Sequence, residues 1–288
     1  MIKIIIILFL VLTSVFFAQS QTNFNGVWQG IMVRDGFKNE QASILFADFK
    51  TSNGSLEGKI RDEIFDTDHY AVKKIKGSYK GHEIKFNEFV IEKKKSSSKT
   101  NWCNIEASLN YNDSTGYLEG RYTSNDCKRN SGKIILYRSK ASFSAGDTPS
   151  LSHSWFTPFI NNLKKGYNAP MIREEERKNF QFQPIYFDHD KAEIKPEYNE
   201  FLIKMSRVVD GHTDLRIKVT GHTDSDGSEI YNTDLSKRRA QALIDFFISH
   251  GLSKDRIEID FKGEGAPVDT NLTPEGKQHN RRVDFSFI

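Results

Sequence analysis

Asp224 and Arg239 are the residues in this chain whose types and spacing best suit chemistry. Asp224 ends the tetrapeptide Gly221-His222-Thr223-Asp224, just after an alternating stretch from Leu215 to Val219. Arg239 sits in the helical stretch that follows, where Asn232, Leu235, Arg239, Ala242, Leu243 and Phe246 share a face by their spacing. A guanidinium is rarely buried without a partner, so an arginine in this stripe asks for one. Asp224 and Arg239 can pair directly, as a salt bridge holding strand to helix. Set a few ångströms apart, they instead complement a zwitterion: the carboxylate takes an ammonium, and the guanidinium takes a carboxylate through paired hydrogen bonds. An amino-acid-like head group fits the second arrangement. Arg239 lies about three turns into the helix, and its side chain leans back toward the helix start, which shortens the gap. Spacing alone leaves both arrangements open.

The elements that must position this pair alternate strand and helix from residue 181 onward. Ile185-Tyr186-Phe187 follows Pro184 as a short strand. Pro196 opens a helix whose apolar residues Tyr198, Phe201, Leu202, Met205, Val208 and Val209 recur at gaps of three and four, giving one buried face. Leu215 to Val219 is the second strand, and Ser228 caps a helix that Gly251 stops. Ile257-x-Ile259-x-Phe261 is the third strand. Thr273-Pro274 starts a short helix, and Val283-x-Phe285-x-Phe287 is the last strand. The order βαβαβαβ predicts an α/β sandwich. Asp224 falls at the carboxyl end of its strand, where open α/β sheets place ligands.

These residues carry a resemblance. Phe187-Asp188-x-Asp190-Lys191-x-x-Ile194, Gly221-His222-Thr223-Asp224-x-x-Gly227, Tyr231-Asn232-x-x-Leu235-Ser236-x-x-Arg239-Ala240, Gly263-x-Gly265 and Asn280-Arg281-Arg282-Val283 stand in the order found in the OmpA-like C-terminal domain. The stretch 182–288 resembles that domain, which OmpA, Pal and MotB proteins share. It departs in the last loop, where Gly265-Ala266-Pro267 brings the proline closer than the family spacing. The resemblance implies noncovalent binding of peptidoglycan. It assigns Asp224 to the ammonium of diaminopimelate in the stem peptide and Arg239 to its carboxylate. Thr223, Asn232 and Arg281 match supporting positions, and Asp190 matches a site-lining position where the family carries Asn or Asp.

The tetrapeptide Gly-His-Thr-Asp also stands at 211–214, at the opposite end of the second strand from Asp224. It matches no family site and reads as a helix stop and turn. No nucleophile elbow, His-Glu-x-x-His or phosphate loop appears. Asp224-Ser225-Asp226-Gly227 lacks the glycine position and closing glutamate of an EF-hand. His189, His212, His222, His250 and His279 lack metal-ligand spacing. The reading is a non-enzymatic chain with no cofactor and no metal. The net charge of +3, from 41 basic and 38 acidic residues, gives no argument for nucleic acid.

Residues 21–140 read as an all-β meander, closed into a barrel or folded as a sandwich. Asn25-Gly26, Asn53-Gly54, Gly77, Gly81, Thr115-Gly116 and Ser131-Gly132 punctuate runs rich in branched and aromatic residues. Leu56-Glu57-Gly58-Lys59 and Leu118-Glu119-Gly120-Arg121 form a faint echo, each opening a strand. Residues 73–95 carry too much Lys and Glu for a lipid-facing barrel, so a transmembrane porin is excluded. Gly26-x-Trp28-x-Gly30 resembles the opening of lipocalin-like calyx proteins, and equally suits a tryptophan plugging a barrel floor. A calyx interior would admit a small apolar ligand.

Cys103 and Cys127 are the two cysteines and share this domain; in an oxidising compartment they form a disulfide. Met1-Ile2-Lys3 and the apolar run Ile4 to Ala18 predict a signal peptide, residues 1–20, cleaved after Ser20. That run holds no acidic residue, as a proton-conducting motor stator would need. Residues 141–180 read as a linker with a short amphipathic piece around Trp155-Phe156, followed by a solvated charge run from Arg173 to Lys178. The expectation is an exported protein in the periplasm of a Gram-negative bacterium, tied to the cell wall and associated with the outer membrane. Residues 181–288 are its peptidoglycan anchor, and the β domain is free for an envelope protein partner or a small apolar ligand; the alternative is a ligand-binding or enzymatic β domain for which 181–288 serves only as anchor.

Overall fold

The computed structural model describes residues 22–97, 100–146, 153–212 and 215–288. The leader expected at 1–20, and Thr213 and Asp214 of the second tetrapeptide, lie outside the described residues. The chain divides into two compact units, one ending at Ile160 and the other running Asn161–Ile288. Among the described residues no helix is long and apolar enough to cross a membrane.

In the first unit, alternating residues and tight turns produce eight strands: β1 (Gly26–Arg34), β2 (Ser43–Ser52), β3 (Ser55–Glu63), β4 (Tyr70–Lys80), β5 (Glu83–Lys95), β6 (Glu106–Asn112), β7 (Tyr117–Thr123) and β8 (Ser131–Arg138). Each pairs with the next, and β8 returns antiparallel to β1, from Trp28 opposite Arg138 to Arg34 opposite Gly132. The meander is thus a closed barrel rather than a sandwich. Asn53 and Gly54 join β2 to β3 with φ of 49° and 82°, the left-handed pair that matches the twist of a two-residue hairpin. The echo of Gly58 and Gly120 has a shared cause: a Cβ on either would collide with a carbonyl of the preceding strand, Asp48 or Ser108.

The inward positions form a continuous apolar core that includes Phe24, Trp28, Phe49, Ile60, Ile75, Phe86, Leu109 and Leu136. The Trp28 indole donates to the Phe24 carbonyl at 2.9 Å, and the Arg138 guanidinium lies 4.6 Å from its ring. The alternation that points Ile60, Ile75 and Phe86 inward also points Asp62, Lys73 and Glu88 inward. The Lys73 ammonium donates to Asp62 at 3.1 Å, to Glu88 at 2.8 Å and to the Cys103 carbonyl at 2.7 Å. Glu88 also accepts from the Ile105 amide at 3.0 Å. Burial pushes the Glu88 carboxyl up to about 7, against the pull of Lys73. Burial pulls the other way on Lys73, but the charges of Asp62 and Glu88 outweigh it and hold the ammonium above its ordinary value. Cys103 and Cys127 form a disulfide beside this cluster, with Cα atoms 5.8 Å apart.

Helix α1 (Phe156–Lys164) begins on the outer face of this barrel. Phe156 stacks on Phe65 at 4.4 Å, and Phe159 meets Tyr137 at 5.1 Å. Just before it, His153 bonds Glu63 at 2.8 Å. The start of the amphipathic piece therefore packs on the barrel.

The second unit contains α2 (Pro170–Lys178), β9 (Ile185–Tyr186), α3 (Asn199–Asp210), β10 (Ile217–Gly221), α4 (Glu229–Ser249), β11 (Ile257–Phe261), α5 (Pro274–Asn280) and β12 (Arg282–Phe287). From β9 onward the order is the expected βαβαβαβ. The sheet runs β11-β10-β12-β9, with β11 parallel to β10 and the other pairs antiparallel. Ser228 caps α4 by accepting from the Tyr231 amide, and Thr273 caps α5 by accepting from the Gly276 amide. Leu202, Met205 and Val209 of α3 and Leu243 and Phe247 of α4 close over Ile217, Val219 and Val283.

The buried face of α4 is wider than the spacing implied. It holds Asn232, Leu235, Ser236, Arg239, Ala240, Leu243, Ile244 and Phe247, while Ala242 and Phe246 lie at its half-buried margin. Phe246 stacks on His250 at 4.1 Å instead. The rotation follows from Gly221, where a Cβ would strike the Ser236 carbonyl oxygen. The helix backbone presses directly on the end of β10 there, so Ser236 and Ala240 face the sheet.

Candidate functional site

The close approach at Gly221 brings Arg239 within reach of the loop after β10. Its guanidinium donates to the His222 carbonyl at 2.9 Å, the Asp188 carbonyl at 3.1 Å and the Lys191 carbonyl at 2.8 Å. It also lies 5.4 Å from the Phe187 ring and is 0% exposed. These bonds use three of the five N–H groups that a guanidinium carries. Burial pushes the Arg239 pKa down to about 10, with the negative charge of Asp224 opposing the shift, so the side chain stays cationic at neutral pH.

Asp224 is 4% exposed, and its ion partner is Arg281, whose guanidinium donates across 2.8 Å. Among the described residues Asp224 and Arg239 form no direct ion pair; the salt bridge from strand to helix is absent. Backbone bonds fix the tetrapeptide: His222 N–H donates to the Arg282 carbonyl at 2.9 Å and Thr223 N–H to the Gly263 carbonyl at 2.8 Å. The second Asp224 oxygen accepts from the Asp226 amide at 3.3 Å.

Thr223, next to Asp224 in the chain, and Asn232 of α4 are each 1% exposed. Asn232 donates to Glu264, but its side-chain oxygen has no partner, and neither does the Thr223 hydroxyl. Buried polar atoms without partners are uncommon, because each costs about 1–3 kcal/mol of lost hydration. Two such atoms, one on Thr223 and one on Asn232, leave acceptors open to a polar donor.

Asp190 stands at the rim, exposed, and accepts from the Tyr231 hydroxyl of α4. Its φ of 58° is left-handed, a backbone conformation that Asn and Asp tolerate better than other side chains. That is a physical reason for those two residue types at this position. The structure thus pairs Asp224 with Arg281, buries Thr223 and Asn232, ties Arg239 to the loops through backbone carbonyls and sets Asp190 against Tyr231 of α4.

Two contributors, Lys277 and Gln278, were not singled out by the sequence, and a third, Asn280, was named only within the motif Asn280-Arg281-Arg282-Val283. Lys277 pairs with Asp226 at 2.6 Å and holds that carboxyl below its ordinary value. Gln278 binds Arg281 and donates to the Phe187 carbonyl at 3.1 Å. Asn280, fully buried, accepts from the Val268 and Asp269 amides and so shapes the loop after β11. All three lie on or at the end of α5, a helix whose surface pattern gives no sign of inward contacts. His189, Asp224 and Asp226 bring ligand-type atoms within 4.8 Å of one another, but Arg281 and Lys277 already balance both carboxylates.

The fold and site together describe an eight-stranded barrel unit joined to an α/β unit with a buried carboxylate and a buried guanidinium. Residues 186–281 match the OmpA family. Outer membrane protein A of Bordetella avium is 37% identical over 106 residues, which is 36% of this chain and 53% of that protein. The peptidoglycan-binding protein ArfA of Mycobacterium bovis is 36% identical over 102 residues, 35% of this chain and 31% of that protein. The chain therefore spans between a third and about half of the length of these curated relatives. Among solved structures, the peptidoglycan-associated lipoprotein of Burkholderia pseudomallei is 25% identical, covering 37% of this chain and 90% of that one with a TM-score of 0.36.

Proposed function

We propose that the Asn161–Ile288 unit binds peptidoglycan without covalent chemistry and anchors an exported envelope protein to the cell wall. The observation that carries this reading is the buried Asp224 carboxylate, together with acceptor oxygens left unpartnered on the adjoining Thr223 and on Asn232 of α4. An ammonium brings donors to those acceptors and a positive charge to the carboxylate. The zwitterionic end of a diaminopimelate-type stem peptide supplies that ammonium together with a carboxylate for a guanidinium. Arg281 is 12% exposed and can meet this carboxylate directly. Arg239 is wrapped by the Asp188 and Lys191 carbonyls, so direct contact requires the 188–191 loop to yield; short of that, Arg239 contributes its field. The name of ArfA agrees with a wall-binding role. The barrel unit is then presented in the envelope, with its purpose separate from the anchor.

Co-sedimentation with purified diaminopimelate-type sacculi tests this. Wild-type protein is expected in the pellet, and Asp224→Ala and Arg281→Ala, each folded by circular dichroism, in the supernatant. Truncating one member of a buried charge-assisted contact costs about 2–5 kcal/mol, enough to abolish pelleting at micromolar protein. Equal pelleting of all three removes the site from the reading, and no pelleting of wild type removes the ligand.

A further inference from the structure

His212, in the second tetrapeptide and unused by the wall-binding site, borders a cavity of about 720 Å³ in the same unit. The cavity lies between the loop after α1, helix α2 and helix α3, and half of its wall precedes the stretch that matches the OmpA family. Arg173, Lys204, Arg207 and His212 are among the residues that line it. Arg173 was read as part of a solvated run, yet it is half-buried and donates to the Gly211 carbonyl from one end of its guanidinium. Its Nε is buried with no acceptor. The His212 Nδ1 lies 2.8 Å from the Val208 carbonyl, which requires that nitrogen to carry the proton. His212 Nε2 is likewise buried and without a partner.

Lys165, also in the lining, is matched by Asp210 at 2.9 Å. Lys204 and Arg207 have no acidic partner among the described residues. With Lys165 matched by Asp210, Arg173, Lys204 and Arg207 against Glu176 and Glu200 leave the lining with one net positive charge. Guanidinium and ammonium donors converging on a concave space suit an oxyanion, which accepts several charge-assisted bonds at once. Among the described residues the Arg173 Nε–H has no hydrogen-bond partner.

We propose that this cavity is a second ligand site, taking a small molecule that carries a phosphate or carboxylate group. Arg173 and His212 form its inner wall, and Lys204 and Arg207 guard its mouth from exposed positions on α3.

The test uses the full chain and two probes, inorganic phosphate and glucuronate, each titrated against a sodium chloride control while NMR follows the His212 imidazole. A saturable shift at millimolar probe is expected, with affinity reduced about tenfold or more in a folded Lys204→Ala/Arg207→Ala variant. Saturation by phosphate alone assigns a phosphate ligand, and saturation by glucuronate alone assigns a carboxylate. Shifts that stay linear into the tens of millimolar, or that match the salt control, overturn the site. So does saturation of equal strength in the double variant. The double variant removes exposed side chains, and a thermal melt checks its fold; Arg173→Lys, which keeps the charge but loses the Nε–H, is a second reading of the inner wall.

Discussion

Arg281 donates to Asp224 across 2.8 Å, while Arg239 reaches past that carboxylate to the His222 carbonyl at 2.9 Å. The two arginines therefore divide the work. One balances the buried charge of Asp224, and the other ties the tetrapeptide to the loop after β9. Arg281→Ala is expected to leave a carboxylate buried without its cation, lowering stability by about 2 kcal/mol even without ligand. Urea unfolding reads this directly. An unchanged midpoint would show that Asp224 does not depend on Arg281 in the free protein.

Arg239→Lys tests the second role. An ammonium on a single stem cannot span the carbonyls of Asp188, Lys191 and His222 together. We expect a loss of about 3 kcal/mol, seen as a lower denaturant midpoint with an unchanged slope. A lysine variant as stable as wild type would mean that charge alone, and not the fork of donors, holds these loops.

Gly221→Ala should act on the same site from outside it. The new methyl group would collide with the Ser236 carbonyl and push α4 off β10, carrying Arg239 with it. The expected cost is about 2–3 kcal/mol of stability. Sacculus binding should fall further than stability explains at a temperature where the variant is folded.

In the barrel, Glu88 gives a pH dependence whose sign is fixed. Its folded pKa, about 7, stands above its ordinary 4.5, so the folded chain holds the proton more tightly than the unfolded chain. The associated stabilisation is complete below 4.5 and is lost as pH rises through about 7. The full span corresponds to something on the order of 3 kcal/mol. Unfolding of wild type and Glu88→Gln should therefore diverge across this window, with the slope due to Glu88 missing from the variant. Parallel curves would place the proton elsewhere in the Asp62–Lys73–Glu88 cluster.

The disulfide closes a loop with a sequence separation of 24. Replacing both cysteines by serine should cost the barrel about 3 kcal/mol. Wall binding should persist, because Cys103 and Cys127 belong to the other unit. Loss of binding in parallel with the barrel would contradict independent units.

Local physics made much of this protein legible in its sequence. Strand alternation, the caps at Ser228 and Thr273, and the left-handed Asn53-Gly54 turn depend on near neighbours, so residue order alone determined them. The same holds for the identity of Asp224 and Arg239 as the charged pair to watch. The partner of Asp224 was a different matter. Arg281 lies 57 residues away and arrives only because β12 pairs beside β10, a choice made by sheet order. Lys73 counted only as one of the charges across 73–95 until closure of the barrel enclosed its side of β4 with Asp62 and Glu88. Arg173 read as solvated until α2 and α3 placed it beside Gly211. Periodicity says which face of an element is buried. Which distant element covers that face, and which charge then meets which, is decided by packing the whole chain, where one glycine at 221 sets the helix that carries Arg239.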